Sequence, residues 1–290
     1  MMVLMIMNSL ANLGRTFSTH PLTRNSPLKA WVRFVTWQMR SRVQGEVIFP
    51  WIEGQRLAVR RGMTGATGNI YLGIHEFPDM MLLLHFLREG DLFLDIGSNI
   101  GSYTVLASGV RRATTWAFEP DPETIRALRR NVELNGIKGR VTIHELALGD
   151  TDGEVLFTRG QDTTNHVATK GETDVRTVPT KRLDTLLGVN RPSMIKMDVE
   201  GFEENVVRGA QGLLADESLK LIELETLTEE IEATFHRNGF ARAYYDPFSR
   251  ALSEYPGKLS PSNAVFVRDW DFVATRLASA PPVNVLDRSI

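Results

Sequence analysis

The chain contains no cysteine. Disulfides, thiolate metal sites and a cysteine nucleophile are therefore excluded, and the composition is compatible with a reducing compartment. Long basic blocks are also missing, and 33 Lys and Arg stand against 35 Asp and Glu for a formal charge of -2. No polyelectrolyte surface for nucleic acid is expected from that balance. No apolar run is long enough to span a bilayer. Residues 1–13 are apolar but carry no basic leader and are broken by Asn8 and Asn12, so they read as a frayed or packed segment rather than a signal. A cytoplasmic chain is expected. With 290 residues, 42% of them hydrophobic, one large α/β domain with an N-terminal extension fits, whereas two full domains would be cramped.

What is present is organised around residues 91–101. Leu92 to Ile96 reads as a buried strand, Gly97 and Gly101 free the backbone to turn, and a helix opens at about Ser102. The spacing is Asp-x-Gly-x-x-x-Gly, and the loop lacks the Gly-x-Gly-x-x-Gly of dinucleotide binders, whose pyrophosphate sits on a helix N-terminus. A carboxylate at this loop repels a pyrophosphate and suits the amino group of a methionine moiety, so Asp95 points to S-adenosylmethionine. The same pattern also serves as a plain strand-to-helix turn. One βα unit later, Glu119 closes the run 114–118, ahead of Pro120, Asp121 and Pro122 at a helix start. An acid about 20 residues beyond the glycine loop is placed to accept from ribose hydroxyls; its alternative role is helix-start electrostatics.

Upstream, residues 15–30 have the composition of a linker. Pro27 to about Arg42 then forms a basic, aromatic-rich amphipathic helix. It either packs its tryptophans on the neighbouring domain or touches anionic lipid or a partner, which leaves a peripheral position at the inner membrane face open. Residues 46–51 and 56–60 read as a β-hairpin around Glu53-Gly54, and 62–73 as a glycine-rich approach. The expected organisation is an N-terminal extension over 1–70, a main domain over 71–270 and a C-terminal tail over 271–290. His75 and Glu76 precede a helix over 80–88 and are placed to face the cofactor's mouth; His85 reads as an ordinary helix residue.

Downstream, helix 104–110, strand 114–118, helix 122–134 and strand 141–146 alternate, which argues for a parallel sheet with right-handed crossovers. Residues 150–180 read as an inserted hairpin whose polar loop, 161–170, brings Asn165 and His166 within reach of a substrate or of solvent alone. Period two then puts Lys196 and Asp198 on one face of the strand beginning at Met194, with Glu200 at its tip. Ligands of open α/β sheets bind beyond the carboxyl ends of strands, so these charges and the glycine loop should open on one crevice. A salt-bridged pair that only stabilises the edge is the alternative. Leu221 to Thr226 carries Glu223 and Glu225 on one face, a helix follows over 229–237, and strands over 241–245 and 264–268 finish as an antiparallel pair.

Several motifs now stand in order: Leu94-Asp95-Ile96-Gly97-Ser98-Asn99-Ile100-Gly101-Ser102-Tyr103, Ala117-Phe118-Glu119-Pro120-Asp121-Pro122, Asn131-Val132-Glu133-Leu134-Asn135-Gly136, Ala147-Leu148-Gly149-Asp150 and Lys196-Met197-Asp198-Val199-Glu200-Gly201-Phe202-Glu203. In order and spacing the chain resembles the FkbM methyltransferase family, over about residues 70–268. Gly97-Ser98 stands where Gly-Ala is more usual. The resemblance implies a Rossmann-like class I methyltransferase sheet of seven strands, mostly parallel with one antiparallel, beside the N-terminal helix and hairpin. It implies S-adenosylmethionine held by Asp95, Ile96, Gly97, Ser98, Asn99, Gly101 and Tyr103, with Glu76 at the mouth. Glu119 and Pro120 would lie at the ribose, Leu146 and Ala147 would border the adenine, and Asp198 would face the transferred methyl.

The resemblance further implies O-methylation, often of a sugar hydroxyl in polysaccharide, glycolipid or natural-product assembly. A neutral hydroxyl is a poor nucleophile, so it must be held in line with the methyl and lose its proton as attack proceeds. Asp198 or His166 serves as base, Lys196 orients Asp198 or acidifies the alcohol, and His75, Asn165, Glu200 and Glu225 hydrogen-bond the acceptor. A divalent metal held by Asp198 and neighbouring carboxylates is a further option. The rival readings are an NAD-dependent oxidoreductase and a non-catalytic adenosylmethionine-binding scaffold.

Overall fold

The computed structural model describes residues 2–160, 165–169, 171–257 and 263–290. Two helices, α1 (Met2–Thr19) and α2 (Pro27–Gln44), precede a hairpin of β1 (Glu46–Pro50) and β2 (Arg56–Arg60), then α3 (Thr64–Leu72) and α4 (Phe77–Phe86). The parallel core begins with β3 (Leu92–Ile96), α5 (Ser102–Val105) widening into a π turn over Leu106–Val110, β4 (Thr114–Phe118), α6 (Pro122–Leu134) and β5 (Val141–His144). A separate small sheet follows from β6 (Ala147–Leu148), β7 (Gly153–Thr158) and β8 (Val175–Lys181). The chain re-enters the core through α7 (Leu183–Leu187), β9 (Met194–Met197), α8 (Glu203–Arg208), α9 (Gln211–Ala215), β10 (Leu221–Leu224) and α10 (Glu229–Arg237). It closes with β11 (Ala241–Asp246), β12 (Ala251–Glu254), β13 (Ala264–Val267), α11 (Trp270–Ala278), β14 (Asn284–Val285) and β15 (Arg288–Ser289).

The central sheet has the order β12-β11-β13-β10-β9-β3-β4-β5. Strands β5, β4, β3, β9 and β10 are mutually parallel, β13 runs against β10, and β11 runs against β13. From β11 to β5 this is the expected seven-stranded sheet with one antiparallel strand. An eighth strand, β12, pairs antiparallel on the outer edge. The chain steps from β3 to β4 on one side and reaches β9 on the other, so the order reverses between β3 and β9. In open α/β sheets that reversal opens a crevice at the strand ends.

Local chemistry accounts for the pieces that position this crevice. Period two sends Phe93 into one core cluster and Leu94 and Ile96 into another on the opposite face. Helix α6 starts at Pro122, capped by the Asp121 side chain accepting from Thr124 N at 3.1 Å, and buries Ile125, Leu128, Asn131 and Val132 along one stripe. Helix α10 is capped by Thr228, with acids in its first turn and His236 and Arg237 in its last.

The structure departs from the sequence reading in several places. Residues 15–19, expected within a linker, continue α1, where Phe17 is fully buried and Thr23 Oγ1 donates to its carbonyl at 2.8 Å. The glycine-rich approach contains a helix, α3, whose glycines lower propensity but permit close packing. The strand expected over 141–146 ends at His144, because Ala147 and Leu148 pair with β8 instead. The C-terminal tail is packed: Val273 and Leu277 of α11 and Val283 and Val285 of the last hairpin are fully buried in the cluster that holds Phe86 and Phe93. Of the polar loop, residues 161–164 and 170 lie outside the described residues. Among the described residues, no helix is long and apolar enough to cross a membrane.

Candidate active site

The tips of β3 and β9 meet at main-chain contact. Gly97 adopts φ 77°, and a Cβ there would stand 1.8 Å from the Asp198 carbonyl oxygen, so no side chain fits. Gly101, at φ 87°, starts α5 and would drive a Cβ to 2.4 Å from Leu128 Cδ1. Between them Asn99 takes φ 49°, steadied by its own side-chain oxygen accepting from Ile100 N at 2.7 Å. Its N–H donates to Glu119 Oε2 at 3.0 Å, and Asp121 N–H donates to Glu119 Oε1 at 2.9 Å. The Glu119 carboxylate is thus pinned by two main-chain donors at the tip of β4. Burial pushes its pKa up to about 7, against those hydrogen bonds. Asp95, buried at the end of β3, accepts from Thr104 Oγ1 at 2.5 Å. Burial raises its pKa to about 6, with Lys196 opposing.

On β9, Lys196 is 3% exposed, its Nζ 2.6 Å from Asp198 Oδ2 and 4.7 Å from the centroid of the Tyr103 ring. Burial works against the ammonium, but Asp198, Glu76 and Glu223 outweigh it and hold Lys196 above its ordinary value. Burial likewise favours protonated Asp198, yet Lys196 wins and holds that carboxylate below its usual range. Glu225 goes the other way, raised to about 8 by burial and then by Asp198. Asp198 is therefore the anion and Glu225 the protonated neighbour near neutral pH. Glu200, at φ 52°, is also raised, by burial and by Asp198. Carboxylate oxygens of Asp198, Glu200 and Glu225 all lie within 4.8 Å of one another.

Behind this front lies a second acidic layer. The Tyr103 hydroxyl is 2.7 Å from Glu76 Oε2 and 3.0 Å from Glu223 Oε1. A phenol carries one hydrogen, so the second contact needs a proton on a carboxyl. Glu223 is fully buried and is raised to about 7, by burial first and with Glu76 adding to it, so it takes up a proton below that pH. Asp79, also buried, is raised well above its ordinary value by burial, Glu223 and Glu76.

A cavity of about 500 Å³ opens over these tips. Its wall contains Asp95, Ile96, Gly97, Ser98, Asn99, Tyr103, Glu119, Pro120, Leu146, Ala147, Lys196 and Asp198, together with His75, Glu76, Asn165, Glu200 and Glu225. Gly101 and His166 are not part of the wall, and His166 Nε2 is 3.2 Å from Glu172 Oε2. His85, read as an ordinary helix residue, is buried in α4 and hydrogen-bonds the Tyr245 hydroxyl. Sequence reasoning missed Gly65 and Ala66 of α3, and Met80, Phe157 and Phe202. It also missed Asp79, although an acid inside the apolar run Phe77 to Phe86 was a readable signal.

A family model described as the methyltransferase FkbM domain matches residues 95–242, the stretch holding both strand tips. Hexuronic acid methyltransferase AglP of Haloferax volcanii is 29% identical over 198 residues, covering 67% of this chain and 74% of its own. The 31-O-demethyl-FK506 methyltransferase FkbM of Streptomyces tacrolimicus is 37% identical over 94 residues, covering 30% and 34%. Among solved structures, M. jannaschii TYW2 in complex with AdoMet is 16% identical with a TM-score of 0.40, covering 77% of this chain and 87% of that one.

Proposed function

The chain belongs to the FkbM methyltransferase family, and from that premise we propose that it methylates a hydroxyl oxygen of a sugar in a glycan, glycolipid or glycosylated natural product. The family implies S-adenosylmethionine. The wall fits that group: Asp95 offers a buried anion for an ammonium, Glu119 keeps lone pairs for ribose hydroxyls, and Leu146 and Ala147 give an apolar face for an adenine. When bound, the cofactor supplies an electrophilic sulfonium methyl. A sugar acceptor is supported by AglP, whose name records a hexuronic acid.

The observation that carries the reading is the Lys196–Asp198 pair beside the glycine loop. Lys196 keeps Asp198 ionised, so its carboxylate can accept the hydroxyl proton as attack proceeds. Protonated Glu225 donates a hydrogen bond beside it, and His75, Asn165 and Glu200 line the wall where other hydroxyls would be held. His166 acts as base only if it leaves Glu172. The Asp198, Glu200 and Glu225 oxygens would be the ligands of a divalent cation if acidification of the hydroxyl takes that route.

Asp198→Asn should keep S-adenosylhomocysteine binding by calorimetry and lose about 10²–10⁴-fold in turnover, followed as S-adenosylhomocysteine release over a glycan panel. Undiminished turnover in that variant removes Asp198 from the chemistry. A chelator separates the two routes: loss of activity restored by Mg²⁺ or Mn²⁺ selects the cation, and indifference to chelation selects Asp198 acting as base.

A further inference from the structure

A second groove, of about 680 Å³, adjoins the cofactor cavity and shares Ile100, Thr124 and Asn165 with it. Three separate parts of the chain converge there: the end of the β1–β2 hairpin, the first turns of α6 and the open end of β7–β8. Between them they contribute Arg60, Arg61, Arg126, Arg130, Arg159 and Arg176. Four carboxylates, those of Glu46, Asp121, Glu123 and Asp174, answer these six arginines, a surplus of two positive charges on a chain whose formal charge is -2. Several of the pairings are loose or shared. Glu46 serves both Arg60, at 3.1 Å, and Arg130, at 3.3 Å. Arg126 and Arg159 stand 3.9 and 3.8 Å from their acids, and Arg61 has no ion pair among the described residues. No lysine or histidine is among the described lining residues. A set made only of arginine presents forked planar donors, which match phosphate and carboxylate oxygens two at a time.

The cofactor cavity is the opposite. Glu76, Asp95, Glu119, Asp198, Glu200 and Glu225 line it, against Lys196, already paired, and His75. An anionic group on the acceptor is repelled from that end, and the adjoining arginine groove is the place where its charge is met. We propose that this groove binds an oxyanion, a phosphate or carboxylate group carried by the methyl acceptor. The assignment of the ligand to the acceptor rests on the methyltransferase reading; binding of the oxyanion itself does not.

The test uses the full chain saturated with S-adenosylhomocysteine, titrated calorimetrically with inorganic pyrophosphate and, separately, with trigalacturonate. The comparison is the double variant Arg61→Gln, Arg126→Gln, which removes the two least engaged guanidiniums. Saturable binding is expected for at least one probe, weakened about tenfold or more in the variant, with S-adenosylhomocysteine affinity unchanged. Pyrophosphate alone identifies a phosphate-bearing acceptor, and trigalacturonate alone a carboxylate-bearing one. Absence of saturable binding by either probe, or equal affinity in wild type and variant, overturns the proposal. If S-adenosylhomocysteine itself fails to bind, the methyltransferase reading falls, and titration of the unsaturated chain still decides the groove.

Discussion

Glu119 accepts from the main-chain N–H groups of both Asn99 and Asp121, so its carboxylate ties the glycine loop to the tip of β4. Glutamine cannot reproduce this, because one of its two ends is a donor and would face an N–H. Glu119→Gln should therefore cost about 1–3 kcal/mol of stability and weaken S-adenosylhomocysteine binding, read by thermal melting and calorimetry. An unchanged melting temperature would show that the two main-chain contacts are not what holds the loop. The place of Glu119 at a strand tip was legible, because an acid spaced from a glycine loop is a local pattern; its two main-chain donors were not. The reason for Gly97 was only half legible. Its turn shows in sequence, but the Asp198 carbonyl it must accommodate lies about 100 residues on and arrives through the sheet. Glu223 and Asp79 are harder still, since their protons depend on which other acids the fold brings beside them.

At the scale of elements, α2 contains no acidic residue and shows two faces. Ala30 and Trp37 are buried, and Trp31 packs edge-on against Phe17 at 5.1 Å. On the other face Leu28, Val32, Val35, Met39 and Val43, spaced three or four apart, are 51–86% exposed, flanked by exposed Lys29, Arg40 and Arg42. An apolar stripe edged by cations is the pattern of a helix that lies in an anionic membrane surface. Because this stripe is exposed, the double substitution Val32→Asp, Met39→Asp should leave the melting temperature of the protein unchanged. A lowered melting temperature would show that the stripe is covered by another part of the protein. The basic, aromatic character of α2 was visible in sequence; which face turns inward was not, because α1 and α3 decide it. Helix α3 was hidden by Gly65 and Gly68, yet Gly68 is what lets it lie on His75, whose ring a Cβ would approach to 2.6 Å. Strand β12 is a four-residue run behind a turn, too short for a periodic signal.

For the whole molecule, the alternation of strands and helices predicted the sheet, because each unit announces itself within about 30 residues. The interior charge is a property of the assembled fold and shows as a dependence of stability on pH. Glu119 and Glu223 rise from 4.5 to about 7 and Glu225 to about 8, all by burial first. A raised carboxyl binds its proton more tightly in the folded state, so the stability it contributes is full below about 4.5 and is lost as pH climbs through 7 to 8. Asp79 and Glu200 are raised as well and add to the effect, and Asp95, at about 6, gives up most of its contribution below that window. Asp198 is lowered, and its contribution is lost only in acid; Lys196 is raised, and its contribution is lost only in strong alkali. His20 and His85, pushed down to about 4 by burial, oppose the carboxyls only below their unfolded value of 6.5. The ligand-free protein should consequently melt a few degrees higher at pH 6.5 than at pH 8.5. Glu119→Gln should shrink that difference, since it removes one of these titrations. A melting temperature that is flat or rising across this interval would mean that the buried carboxyls are ionised in the folded protein.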